Sequence, residues 1–285
     1  MKQDFTNNAK GDYVLATGKA AANRLRILHS LYGPGARRAL LQAGIQPGMR
    51  VADIGCGVGM VTALLAELVG PTGQVVGVDF SGAQIAQARE LAPSECSNVS
   101  FIEASATDTG LPHESFDLVY CRFLLIHLTE PGQALREMHN LLKPGGILVC
   151  EDGDLTSAGS EPPSTLNVFS DLFGGLGPAW GVDYTLGRRL FQMVLAADFS
   201  EPEITYNQPV AARGENKRLL ELSVAEAGSA FVEAGLITSE ELDHTLAEMR
   251  RIAEDETVLA VMPRMSQVWA RKLAPSTSNE LLQAA

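Results

Sequence analysis

Asp53-Ile54-Gly55-Cys56-Gly57-Val58-Gly59 is the stretch on which the reading of the fold turns. It closes a short apolar run, Arg50 to Ile54, and opens onto Met60 to Val69, whose composition predicts a helix ended by Gly70-Pro71. A strand that passes through glycines into a helix leaves backbone amides pointing outward, which favours a negative group. The missing Cβ atoms let a ligand come close. Gln74 to Val78 reads as the next strand and delivers Asp79, 20 residues after Gly59. An acid at that position suits the gripping of ribose hydroxyls. The spacing also separates two ligand classes. A dinucleotide loop, G-x-G-x-x-G, needs its third glycine at position 60, which is Met60; the glycines here fall at 55, 57 and 59. A nicotinamide-dependent oxidoreductase is therefore the disfavoured reading.

Outward from this segment, strand and helix alternate. Ser81 is placed to cap a helix running to about Leu91. Val99 to Glu103, Phe116 to Cys121 and Gly146 to Glu151 read as strands, with a helix from Pro131 to Leu142 before the last. Such alternation predicts an α/β fold, a doubly wound parallel sheet with helices on both faces. Upstream, Lys19 to Tyr32 reads as one helix, broken by Gly33-Pro34-Gly35, and Ala36 to Ala43 as a second. Downstream, 156–164 reads as loop, Phe169 to Trp180 as a loop and short helix over a cleft, and Leu186 to Ala197 as a helix. Glu203 to Asn207 reads as a strand, 215–254 as two or three amphipathic helices, and Val258 to Ala270 as a final strand. The expected division is a cap segment at 1–45, a ligand-binding core at 46–210, a helical cap insertion at 211–257, the last core strand at 258–274 and a flexible tail at 275–285.

The 285 residues carry a formal net charge of −12, with 46% hydrophobic and 20% charged residues. That balance supports a buried core and argues against nucleic acid or an anionic membrane as partner. No apolar run approaches the roughly 20 residues of a membrane span. The polar first residues show no secretory signal, and the four cysteines, Cys56, Cys96, Cys121 and Cys150, lack C-x-x-C spacing. These features predict a cytoplasmic protein without a disulfide framework or metal site. They do not speak to oligomeric state.

The G-x-G-x-G loop with its leading acid resembles that of class I S-adenosylmethionine-dependent methyltransferases. Phe116-Asp117-Leu118-Val119 resembles the family's fourth-strand motif, and Leu141-Leu142-Lys143-Pro144-Gly145-Gly146 the turn before its fifth strand. The resemblance covers about Arg50 to Glu151, and the flanking segments are similar to those of UbiE-like and natural-product small-molecule enzymes. It implies a seven-stranded Rossmann-like methyltransferase sheet, last strand antiparallel, with a helical cap. The implied cofactor is S-adenosyl-L-methionine and the implied partner a small-molecule acceptor, quinone-like, aromatic or isoprenoid. Methyl transfer to O, N or C is left open. By the same resemblance Gly55, Gly57 and Gly59 line the methionine and ribose, and Asp53 orients the loop or reaches the amino group through water. Asp79 takes the ribose hydroxyls, Phe80 packs on adenine, and Cys121 and Arg122 lie beside the methionine. Ser105, next to Ala106, stands where the family often has an acid for the adenine amino group, and Asp108 is a substitute.

The acceptor should sit at the carboxyl ends of the strands. His127, after the fourth strand, is a candidate general base, since an ordinary imidazole titrates near neutral pH. Glu151, Asp152 and Asp154 follow the fifth strand and could bind a cationic acceptor, take a proton or ligate a metal, though no convincing set of further oxygen ligands accompanies them; helix capping and solvated loop charge are their plainer roles. Tyr13, Phe173, Trp180, Tyr184 and Phe231 are candidates for an aromatic lid over a small apolar acceptor. His29 and Tyr32 read as packing residues of the first helix, and Cys56, Cys121 and Cys150 as small buried hydrophobes. A protein that keeps the pocket for a non-methylating or partner-binding role is the alternative reading.

Overall fold

The computed structural model describes residues 19–92 and 98–274. Tyr13, the first 18 residues and the tail from 275 lie outside the described residues. The elements in order are α1 (Lys19–Ala43), β1 (Arg50–Ile54), α2 (Met60–Val69), β2 (Gln74–Asp79), α3 (Gly82–Leu91), β3 (Val99–Glu103), β4 (Phe116–Arg122), α4 (Pro131–Leu141) and β5 (Leu142–Asp154). Then come β6 (Gly159–Glu161), α5 (Val168–Trp180), α6 (Leu190–Ala196), β7 (Phe199–Asn207), β8 (Val210–Ala211), α7 (Leu219–Glu226), α8 (Gly228–Glu233), α9 (Ser239–Glu254), β9 (Leu259–Val261) and β10 (Arg264–Lys272).

Seven strands form one sheet in the order β3-β2-β1-β4-β5-β10-β7. The first five pair in parallel, and β10 runs antiparallel between β5 and β7. Both faces of the sheet are covered, and the period of two assigns residues to each. Val51, Leu118, Tyr120, Ile147 and Val149 pack with Leu40 of α1 and Leu65 of α2. Ala52, Ile54, Val119, Cys121, Leu148 and Cys150 pack on the other face with α4, α5 and α7. Ser81 caps α3 as expected, accepting from the Gln84 amide.

Strands β5 and β7 are longer than the sequence reading has them and β6 lies in the expected loop 156–164; four further elements differ. The first helix is continuous over 25 residues and carries Pro34 inside it. A proline there removes one backbone bond, yet the helix persists because tertiary packing holds it. A Cβ on Gly35 would lie 2.1 Å from Asn207 Nδ2, so the bare backbone lets α1 lie against the end of β7. Likewise α5 runs unbroken through Gly174, Gly175 and Pro178. The expected helix 186–197 is a 3₁₀ turn, Leu186–Arg188, followed by α6. The expected final strand is two strands in different sheets: β9 joins β6 and β8 in a small three-stranded sheet, and only β10 completes the core.

Candidate active site

The carboxyl ends of β1, β2, β3 and β4 open into one cavity of ≈ 500 Å³. Its polar end is built by the segments that the sequence singled out. Asp53, Gly55, Gly57, Asp79, Phe80, Ser105, Ala106 and Arg122 all line it. The loop is held from behind. Gly55 and Cys56 donate to the Val78 carbonyl at 2.8 and 2.9 Å. The Gly57 amide donates to Asp79 Oδ2 at 2.9 Å, and the Ser81 amide to Asp79 Oδ1 at 2.9 Å. A carboxylate has about four lone-pair sites, so Asp79 keeps capacity on both oxygens for hydroxyl donors. Asp53 is 2% exposed and accepts from Thr62 Oγ1 at 2.6 Å. Burial pushes its carboxyl up to about 6, against the Thr62 bond and the Arg122 charge, which pull it down. Arg122 Nη1 is buried with no hydrogen-bond partner among the described residues, as is Gln84 Oε1 beside Gly57. Unpaired buried donors and acceptors are costly; around a glycine loop they fit a ligand carrying an amino acid carboxylate, ribose and a base.

The other end of the cavity is apolar. Leu25, Leu28 and Tyr32 of α1, Phe169 and Phe173 of α5, and Leu219 and Leu220 of α7 form its roof, with Phe123, Leu124, Ile126 and Leu128 from the segment after β4. That segment is bent sharply. Phe123 has φ +50, a conformation that costs a side-chain residue free energy and clusters at functional sites. Asp152 pins the bend: Oδ2 accepts from the Leu125 amide at 2.8 Å and Oδ1 from the Gly153 amide at 3.0 Å.

Several expected site residues stand elsewhere. Cys121 points to the opposite face of the sheet from Tyr120, its Sγ 3.3 Å from that of Cys150, so it does not face the cavity. Gly59 turns toward β3; a Cβ there would lie 3.0 Å from the Phe101 ring. Glu151 is fully buried beneath the cavity floor, accepting from Tyr120 Oη at 2.7 Å and Gln267 Nε2 at 2.8 Å. Asp154 is buried against Arg188, 2.7 Å away, and caps the turn at Thr156. Neither carboxylate reaches the cavity, because β10 and the turn after β5 supply their partners. Trp180 packs on the core, and Tyr184 stands behind the wall, edge-on to His127 at 5.8 Å and to Phe173 at 5.3 Å. Asp108 does not line the cavity, whereas Ser105 does, bound to Thr107. Phe231 is buried against Phe173 rather than lining the lid. Tyr32 ties α1 to the Pro263 carbonyl at 2.7 Å and also faces the cavity.

His127 lines the cavity, but not as a neutral-pH base. Burial, and secondarily the Arg24 charge, push its imidazole down to about 3. It is a neutral ring near pH 7. The expectation of an ordinary imidazole failed because the sequence does not show that the ring is buried, with Arg24 of α1 and Tyr184 beside it.

Asp152 gives a testable pH dependence. Burial pushes it up to about 7 despite its backbone donors. An unfolded aspartate titrates near 3.9, so between these values the native state alone holds the proton. Stability from this group is thus present below about pH 4 and is lost as pH rises through about 7. Asp152→Asn removes the titration. Denaturant melts at pH 5 and pH 8 should show the wild type losing about 2 kcal/mol or more relative to the variant over that interval. A constant difference would place Asp152 in the ordinary carboxylate range.

Comparison with known proteins agrees with this geometry. Residues 52–150 match the family described as "Methyltransferase domain". The chain is 36% identical over 140 residues to a demethylmenaquinone methyltransferase of Listeria monocytogenes, covering 48% of this chain and 56% of that one. It is 34% identical over 137 residues to the enzyme of that name from Staphylococcus aureus, covering 48% and 53%. The chain thus spans about half the length of the curated relatives it matches. A solved structure from Bacillus halodurans, described as a candidate methyltransferase, superimposes with a TM-score of 0.55 at 18% identity, covering 83% of this chain and 98% of that one. The seven-stranded sheet and its glycine loop define a Rossmann-like methyltransferase fold. The matched segment, residues 52–150, runs from β1 into β5 and holds the glycine loop and Asp79. Among the described residues no helix is long and apolar enough to cross a membrane.

Proposed function

We propose that this chain transfers the methyl group of S-adenosylmethionine to a small, apolar, ring-bearing acceptor of the quinone-like kind. The observation that carries the reading is a single cavity whose polar end is the glycine loop with Asp79 and whose other end is an apolar chamber. When bound, the sulfonium supplies an electrophilic methyl carbon. The chain's contribution is alignment and exclusion of water, effects that proximity alone makes large. In this reading Gly55, Gly57 and Asp53 receive the methionine and ribose, Asp79 the ribose hydroxyls, and Phe80, Ser105 and Ala106 flank the base. Arg122 meets the carboxylate. Phe173, Phe123 and the leucines of α1 and α7 hold the acceptor. His127 is a neutral hydrogen-bonding wall residue at the acceptor end. The cap segments 1–45 and 211–257 belong to the same proposal.

Calorimetry with S-adenosylhomocysteine and with NAD, followed by methyl transfer to 1,4-dihydroxynaphthalene read by mass spectrometry, tests it. Binding of the former alone, with a methylated product, is the expected outcome. Dinucleotide binding would overturn the cofactor; cofactor binding without transfer to any of a panel of ring acceptors would favour a non-methylating role.

Narrowing the chamber tests its assignment separately. Ser223 of α7 lines the cavity, and among the described residues its hydroxyl donates to the Leu219 carbonyl alone, at 2.9 Å. Ser223→Phe should raise KM for the acceptor about tenfold, the lower part of the 1–3 kcal/mol that overfilling costs. Homocysteine-ligand affinity should stay within about twofold. An unchanged KM in the folded variant would move the acceptor away from α7.

A further inference from the structure

One charged side chain in the apolar end has no role in the cofactor assignment. Arg24 of α1 is 4% exposed. Its Nε donates to Glu226 Oε2 of α7 at 2.6 Å. Its Nη2 is buried and has no hydrogen-bond partner among the described residues. A guanidinium is a permanent cation with a planar fork of donors, and leaving one arm of it unpaired among leucines is costly. Such a group fits an acidic oxygen brought in by a ligand.

Arg24 lines the cavity from α1, beside Leu25 and Leu28 of the apolar roof, which places it at the acceptor end. Arg122, at the end of β4, is the other arginine of the wall; its charge acts on Asp53 and also on His29 and Tyr32 of α1. The Arg24 charge acts on His127, in the turn after β4, and helps keep that imidazole neutral. Among the described residues the ionic surroundings of Arg24 are Glu226 on α7 and His127, and Asp53, Asp79 and Arg122 are the other charged residues of the cavity wall.

We propose that Arg24 Nη2 donates to an ionised oxygen of the acceptor, so that the chamber selects ring compounds bearing an acidic hydroxyl, of the phenol or enol class, and binds them as oxyanions. The hydroxyl proton leaves to solvent as the acceptor enters; no bond to carbon forms in that step, and no base in the chamber is required. Glu226 fixes the guanidinium plane and closes α1 against α7. This inference rests on the methyltransferase reading above.

The probe is 1-naphthol, whose ionised and neutral forms differ in absorbance. It is titrated with pH on the full chain, with and without S-adenosylhomocysteine. In the wild type the bound probe should ionise at least about one pH unit below the free probe, a tenfold preference for the anion. In the doubly substituted Arg24→Met, Glu226→Gln chain, which removes both charges of the pair, the shift should vanish, with homocysteine-ligand affinity within threefold. Arg24→Lys, which keeps the cation, should retain part of the shift and serves if the double variant does not fold. An unchanged shift in the double variant, or a wild type that binds only neutral naphthol or none, overturns the proposal. So does a tenfold loss of homocysteine-ligand affinity with the naphthol shift intact, which would assign Arg24 to the cofactor's carboxylate. Failure of the wild type to bind S-adenosylhomocysteine would overturn the methyltransferase reading instead, while the naphthol titration without it still decides the role of Arg24.

Discussion

Gly57→Val should weaken S-adenosylhomocysteine binding by at least about a hundredfold while leaving a folded chain. Gly57 has φ +55, and a Cβ there would lie 2.9 Å from Gln84 Oε1. A β-branched residue in left-handed conformation costs about 1–3 kcal/mol, and the new side chain must also displace Gln84. If the loop holds its shape, valine drives Gln84 into the ligand's space. If the loop relaxes, the Gly57 amide leaves Asp79 Oδ2, and the acid is no longer set for a ribose. Both routes act on the polar end of the cavity. Gly59→Val is the control: its φ of +81 is equally unsuited to valine, but its Cβ would meet Phe101 of β3 rather than the cavity. It should lower the melting temperature and leave the affinity of the folded fraction near wild type. Calorimetry paired with thermal melts separates the two. A Gly57→Val chain that binds within threefold of wild type would remove the loop from the site.

The contrast between those glycines shows what sequence can carry. The loop, the strand before it and Asp79 were legible because their signal is local: glycine positions, an apolar strand and a 20-residue interval. The same signal could not say which glycine faces the cavity, since Gly59 turns toward Phe101. Glu151, Asp152 and Asp154 read as following the fifth strand; they lie within its last residues, and none lines the cavity. Their partners, Gln267, the Leu125 amide and Arg188, come from segments no local pattern connects to β5. His127 was found by position and misjudged in basicity for the same reason. Arg24 was missed altogether. It is one arginine in an amphipathic helix, and its partner Glu226 stands 202 residues away. An arginine on the buried side of α1, in line with Leu28, was the one available hint.

Asp79→Ala should weaken S-adenosylhomocysteine binding by about 1.5–3 kcal/mol, the range for a hydrogen bond to a charged group, or roughly ten- to 150-fold. The acid is 7% exposed at the end of β2 and raised by desolvation from the ordinary aspartate value, though the Ser81 and Gly57 amides oppose that rise. The alanine leaves both amides without their acceptor, so part of the loss is loop geometry rather than ribose contact. Asp79→Asn distinguishes the parts. Its single amide oxygen can replace one of the two backbone contacts, and its NH₂ can still meet a ribose oxygen, but the charge is gone. If ribose recognition dominates, Asn should recover little affinity; if the loop dominates, it should recover most. Adenine alone supplies the last arm, because it carries no ribose. Its weak binding should fall far less than that of S-adenosylhomocysteine when Asp79 becomes alanine, and an equal loss for both ligands would assign Asp79 to loop shape rather than to the ribose.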